Sequence, residues 1–180
     1  MDIALTQALN KLAGTNAALD AVMIAITIYG IFALVFAVIL LWWKQAERSE
    51  ARNACVVAGL SFLASLAFNQ LLLLFVHRIR PYDAGVSHLL IAANPDWSFP
   101  SDHATAAAAI VAALWFKHLR SIAKILSAVA ILICVSRVYV GVHYFSDILG
   151  GVAIGVFTAA VVARCFRNSS WYAQRITSIL

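Results

Sequence analysis

The stretch LDAVMIAITIYGIFALVFAVILLWW, residues 19–43, carries one charged residue, Asp20, and ends on two tryptophans. A helix needs about 20 mostly apolar residues to cross the hydrocarbon core of a bilayer. This run is long enough, and Trp42 and Trp43 fall where aromatic side chains gather at a membrane–water boundary. Four further apolar runs follow, at roughly 53–76, 102–116, 122–140 and 146–166. The run at 102–116 is short, so its ends are expected inside protein or near the interface. Ahead of the first span, IALTQALNKLA (3–13) spaces Ile3, Leu5, Leu9 and Leu12 helically but is too short to cross. It reads as an interfacial helix, broken by Gly14, Thr15 and Asn16. The expected fold is all-α: a polytopic membrane helical bundle of about five spanning helices plus an N-terminal interfacial helix. Residues 1–180 are read as a single membrane-embedded domain.

Composition agrees. The chain is 63% hydrophobic and 12% charged, whereas soluble domains carry about 25% charged residues. A formal charge of +5 raises the question of nucleic acid, but the basic residues form no exposed stripe. They fall between the apolar runs, as orientation signals do. No nucleic-acid partner is expected. Cys55, Cys134 and Cys165 lie far apart without CxxC or metal spacing and read as small packing residues. Asp2 and the lack of a basic N-terminal region argue against a cleaved signal peptide.

The connectors set the orientation. Lys44, Arg48 and Arg52 precede the second span, Lys117, Arg120 and Lys124 turn the third into the fourth, and Arg164, Arg167 and Arg175 follow the fifth. Five spans put these three segments on one side, the cytoplasm by the positive-inside rule. The 77–101 loop and the 141–145 turn then face outward. That long loop contains all three prolines, and a connector of such length is more often functional than not.

Three polar clusters interrupt the apolar pattern on that outer side: HRIRPY (77–82), PSDH (100–103) and SRVYVGVHYFSD (136–147). The third and fourth spans form a hairpin, which returns the chain to the same face, so the clusters are expected to meet. Arg78, Arg80 and Arg137 are permanent cations with planar forks suited to phosphate oxygens. Ser101 is placed to cap the third span, whose free N–H groups and positive dipole end favour an anion. His103 and His143 are able to transfer protons or attack phosphorus near neutral pH. Asp147 follows His143 by four residues. If a helix begins there, the carboxylate holds one imidazole nitrogen and frees the other.

In this order and spacing the motifs RP, PSDH and SR-x5-H-x3-D resemble the signature of the type 2 phosphatidic acid phosphatase superfamily, membrane lipid phosphatases related to vanadium haloperoxidases. FPSDHA in a short chain is most similar to the bacitracin-resistance type of undecaprenyl-diphosphatase. The likeness covers roughly residues 69–155, with Ser136, Arg137, His143 and Asp147 completing the third motif. It implies that His143 attacks phosphorus and forms a phosphohistidine, oriented by Asp147. It implies that His103 protonates the leaving oxygen and then activates water, while Arg80, Ser101 and Arg137 hold the phosphoryl oxygens. No metal or other cofactor is implied, because arginines and a helix end supply positive charge. The implied substrate is a polyprenyl or other lipid phosphate, first of all undecaprenyl diphosphate, cleaved at the outer face of the plasma membrane to recycle the cell-wall carrier lipid. Phosphatidate or phosphatidylglycerophosphate hydrolysis, or phosphoryl transfer to a second lipid, is the alternative. A transporter would carry its ionisable residues at mid-span, whereas here they gather at span ends.

Two positions depart from the family pattern. Leu73 stands where a lysine is usual, with Arg78 nearby to supply the charge. Asp102 replaces a glycine beside the anion site, within reach of a salt bridge to Arg78 or Arg80. Outside the motifs, His77, His88 and His118 read as ordinary loop and turn residues. Trp115 is a belt aromatic, and Asn69 an interhelical hydrogen-bonding residue. Gly150, Gly151 and Gly155 read as close-packing positions. The Asn-Ser-Ser at 168–170 is discounted as a glycosylation acceptor on the cytoplasmic side.

Overall fold

A computed structural model describes residues 1–43 and 48–166. Lys44, Arg167, Arg175, the 168–170 tripeptide and the C-terminal surface segment expected from the sequence lie outside the described residues. Among the described residues six helices follow one another: α1 (Asp2–Asn10), α2 (Ala17–Leu41), α3 (Arg48–Leu73), α4 (Asp102–Phe116), α5 (Arg120–Tyr139) and α6 (Phe145–Cys165). Among the described residues, α2, α3, α5 and α6 are long and apolar enough to cross a membrane, and α4 is a shorter apolar helix. The expected all-α membrane bundle is therefore the observed one.

Local chemistry explains the boundaries. Asn16 starts α2, its side-chain oxygen accepting hydrogen bonds from the N–H groups of Ala18 (3.0 Å) and Leu19 (3.1 Å). These are donors that a helix start otherwise leaves free. α3 begins at Arg48, a turn earlier than its apolar run, and the Arg52 guanidinium lies 5.1 Å from the centroid of the Trp42 ring. At the same end of the bundle the Lys117 ammonium donates to the Phe166 carbonyl (2.5 Å), joining the α4–α5 turn to the end of α6.

The short α4 is the central helix. Ala104, Ala106, Ala107, Ala109 and Ala113 are all buried, and small side chains let neighbouring backbones approach closely. α6 answers with glycine. A Cβ on Gly151 would lie 2.8 Å from the Ser101 carbonyl oxygen, and one on Gly155 would overlap the Thr105 carbonyl. The close-packing reading of these glycines thus has a specific partner, α4. Leu34, Val57, Leu114 and Ile133 fill the core between α2, α3, α4 and α5. Asn69 bridges α3 to α4, donating to Asp102 and to Thr105, both at 2.9 Å.

α1 differs from expectation in one respect. Its apolar Ile3 and Leu5, and Leu12 just beyond its end, are exposed, as on a lipid-facing helix, but Thr6 and Asn10 are buried against the end of α5 and the start of α6.

Candidate active site

The loop after α3, the start of α4 and the α5–α6 turn meet at one end of the bundle. They enclose a cavity of about 90 Å³ lined by Leu73, Arg80, Asn94, Asp96, Trp97, Pro100, Asp102, His103, Arg137 and His143. Two larger hollows, about 420 and 380 Å³, lie among apolar side chains such as Val35 and Phe62, or Val111 and Ile131. Their linings hold no histidine, arginine or carboxylate, so the small polar cavity is the candidate site.

His143 sits in the turn between α5 and α6. Gly141 opens this turn with φ +85°, where a Cβ would overlap the His88 carbonyl, so only glycine fits. The His143 ring is buried, and its Nδ1 lies 2.8 Å from the Ser98 carbonyl oxygen and 3.6 Å from Asp147 Oδ2. A carbonyl only accepts, so Nδ1 carries the proton and Nε2 is the nitrogen left for chemistry. Burial, above all, pushes the His143 pKa down to about 4; the neighbouring Asp147 carboxylate opposes this, and the Arg137 and Arg80 charges add to it. The ring is therefore neutral at physiological pH, as a nucleophile must be.

Asp147 has no exposed surface and is fully engaged. It accepts from Ser98 Oγ (2.6 Å), from the Tyr144 N–H (2.8 Å) and from the Arg78 guanidinium. The expected i, i+4 pairing with His143 exists as a flank, while the direct acceptor for the ring is a backbone carbonyl.

Arg80 and Arg137 are both buried at the cavity. Arg80 is braced by the carbonyls of Asp96 (2.8 Å) and Val142 (2.9 Å). Among the described residues Arg137 reaches only Thr27 Oγ1, at 3.5 Å, and its Nε has no partner, so most of its donors remain available to an anion. His103, on the first turn of α4, faces the same space.

Three other residues singled out in the motifs are not among those lining the cavity. Arg78 does not line the cavity: its guanidinium binds Asp2 Oδ2 (2.6 Å), Ser146 Oγ (2.7 Å) and Asp147, and rests on the Tyr144 ring. A carboxylate as buried as Asp147 requires a counter-charge, and Arg78 supplies it. Ser136 bonds Thr27 Oγ1 (2.8 Å) and the Ile133 carbonyl (2.7 Å), behind the cavity wall. Ser101 occupies the N-cap position of α4, but its hydroxyl forms no capping bond and is buried without a partner among the described residues. Asp102 does line the cavity, held by Asn69 and Gln70; among the described residues it makes no salt bridge to Arg78 or Arg80. Of the loop histidines, His77 packs on Trp97, ring centroids 4.9 Å apart. Ser98, Thr27 and Asn94 were not singled out from the sequence, where an isolated serine, threonine or asparagine gives no chemical signal.

Residues 54–171 match the PAP2 superfamily. The chain belongs to that superfamily. It is 34% identical over 156 residues to the undecaprenyl-diphosphatase BcrC of Bacillus subtilis, covering 87% of this chain and 79% of that one. It is 29% identical over 161 residues to the putative undecaprenyl-diphosphatase YbjG of Escherichia coli, covering 84% and 79%. A solved PAP2-type phosphatidylglycerolphosphate phosphatase from Bacillus subtilis shares the fold, with a TM-score of 0.71 at 23% identity over 95% of this chain and 87% of that one. The protein is thus a PAP2 membrane lipid phosphatase, and its substrate is a lipid phosphate.

Proposed function

We propose that this PAP2 phosphatase hydrolyses undecaprenyl diphosphate to undecaprenyl phosphate and inorganic phosphate at the outer face of the plasma membrane. The observation that carries the reaction is His143 itself, buried at the cavity with Nδ1 fixed by the Ser98 carbonyl and no hydrogen bond to Nε2 among the described residues. Nε2 attacks the terminal phosphorus, and the bond to the bridging oxygen breaks. His103, protonated once the negatively charged diphosphate sits beside it, gives that oxygen a proton, and the lipid monophosphate leaves. His103 then takes a proton from water, which attacks the phosphohistidine; the P–N bond breaks and phosphate departs. Arg137 and Arg80 hold the phosphoryl oxygens and stabilise the charge that builds on them.

The substrate assignment is supported by the likeness to BcrC over most of both chains. Phosphate release by the purified protein from undecaprenyl diphosphate, phosphatidate and phosphatidylglycerophosphate is the test. We expect kcat/KM for the diphosphate to lead by about tenfold or more, the discrimination carried by one additional charge-assisted contact. A lead for either glycerolipid would overturn the assignment.

The neutral ring gives a second expected result. In an NMR titration of the free enzyme, His143 stays unprotonated at about pH 6, where an ordinary imidazole is mostly protonated. The depressed pKa keeps the nucleophile competent as pH falls and removes it only near pH 4. A midpoint at the ordinary histidine value would contradict the buried, arginine-flanked setting.

The outward orientation rests on the nine lysines and arginines of the 44–52, 117–124 and 164–175 segments. With Cys55, Cys134 and Cys165 replaced, a cysteine at exposed Ala84 should react with an impermeant thiol reagent on intact cells. One at exposed Ser49 should react only after lysis. The reverse pattern would place the site in the cytoplasm.

A further inference from the structure

α1 carries three polar residues at four-residue spacing, Asp2, Thr6 and Asn10, and all three face protein. Each grips the segment that holds His143. Asn10 donates to the carbonyls of Tyr139 (2.8 Å) and His88 (2.9 Å), and its oxygen accepts from the His88 N–H (2.6 Å). Thr6 accepts from the Phe145 N–H (3.1 Å), and Asp2 Oδ1 from the Ser146 N–H (2.9 Å). These last two are free donors of the first turn of α6, where a negative charge is also favoured by the helix dipole. Asp2 Oδ2 accepts from Ser146 Oγ (2.7 Å) and Arg78 Nη2 (2.6 Å), while the other Arg78 Nη serves Asp147. Partial burial raises the Asp2 pKa, but the bonds from Ser146 and Arg78 outweigh it and hold the carboxyl below its ordinary value. Arg78 therefore stands between two carboxylates, one from α1 and one beside the His143 ring.

We propose that Asp2 is a positioning residue of the active site, acting through Arg78 on Asp147. The inference rests on the reading of His143 as nucleophile. A guanidinium paired with Asp147 alone would cancel that carboxylate's charge. Shared with Asp2, it fixes Asp147 in place and leaves net negative charge beside an imidazole that becomes cationic as phosphorus bonds to it. The effect belongs to the chemical step, because Asp2 lies outside the cavity lining and touches no phosphate position.

Asp2→Asn separates charge from capping, since the amide oxygen still accepts from the Ser146 N–H. We expect kcat to fall about tenfold, the worth of one charge-assisted interaction, with KM held within about twofold and little change in Tm in detergent. In an Arg78→Gln background, Asp2→Asn should cost less than about twofold more, because its route to Asp147 is already gone. Leu5→Ala, on the outward face of α1, should keep kcat. Wild-type kcat in Asp2→Asn overturns the proposal. So does an equal loss with and without Arg78, or a loss of kcat that tracks only the fraction of unfolded protein. The underlying reading is checked by trapping an acid-labile phosphoenzyme in the wild-type protein. Its absence removes the nucleophile reading and this inference together, whereas a trapped phosphoenzyme with unchanged Asp2→Asn kcat overturns the inference alone.

Discussion

His143→Ala abolishes phosphate release and phosphoenzyme formation while the protein stays folded. The ring's one hydrogen-bonded anchor is the Ser98 carbonyl, and losing such a bond costs about 1 kcal/mol of stability. The bundle's packing is elsewhere, in the α4–α6 glycine contacts and the core between α2, α3, α4 and α5. His143→Gln, closer in volume, controls for the space that alanine leaves. Loss of a nucleophile takes away the covalent route altogether, so we expect kcat to drop by about 10⁴-fold or more. Arg80 and Arg137 remain, so substrate should still bind to both variants. Binding of a non-hydrolysable diphosphate analogue measures that directly. A purified His143→Ala protein with kcat within a few-fold of wild type would end the assignment, and water or another side chain would have to be the attacking group.

His103→Ala is expected to slow turnover by ~10²–10⁴-fold, the usual worth of a general acid or base. The size of the loss should depend on the leaving group. A lipid monophosphate leaves from a diphosphate substrate with modest need of a proton, whereas an alkoxide leaving from phosphatidate needs one badly. The variant should therefore lose more on phosphatidate than on undecaprenyl diphosphate, and least on an activated aryl phosphate. On the aryl substrate the first step should stay fast, so phosphohistidine accumulates when its hydrolysis lacks a base. Equal losses on all three substrates, with no accumulation, would assign His103 to binding. His103 and His143 line one cavity of about 90 Å³ and are 40 positions apart in the chain, so neither can substitute for the other without rebuilding the α4 start or the α5–α6 turn.

Much of the site was legible because its chemistry needs scarce residue types. A bilayer tolerates few charges, so arginine, histidine and aspartate gathered at span ends stand out against alanine and leucine. His103, His143, Arg80 and Arg137 were found in this way, and the cavity contains all four. Arg78 was read with them because sequence reports its charge but not its direction. Its buried neighbour Asp147 has the stronger demand for a cation, and Asp2 shares it. The Ser98 carbonyl left no trace, since every residue has a carbonyl and only the folded loop decides which one meets His143. The stripe of Asp2, Thr6 and Asn10 was visible as spacing. From this segment only Ile3, Leu5, Leu9 and Leu12 were read, as an interfacial helix, and the burial of the polar stripe against α5 and α6 needed the assembled bundle.

By itself the sequence determined that this chain crosses a membrane with apolar helices, that its polar clusters lie at their ends, and that the clusters match a lipid phosphatase. The first two follow from short-range rules, span length and charge cost in lipid, and the third is a resemblance carried by the motifs. Only the tertiary structure decided which charges face the cavity and which neutralise one another. Those choices depend on distances between residues remote in sequence, such as Asp2 and Arg78 at 2.6 Å, and on competition among several buried acceptors for a few cationic donors.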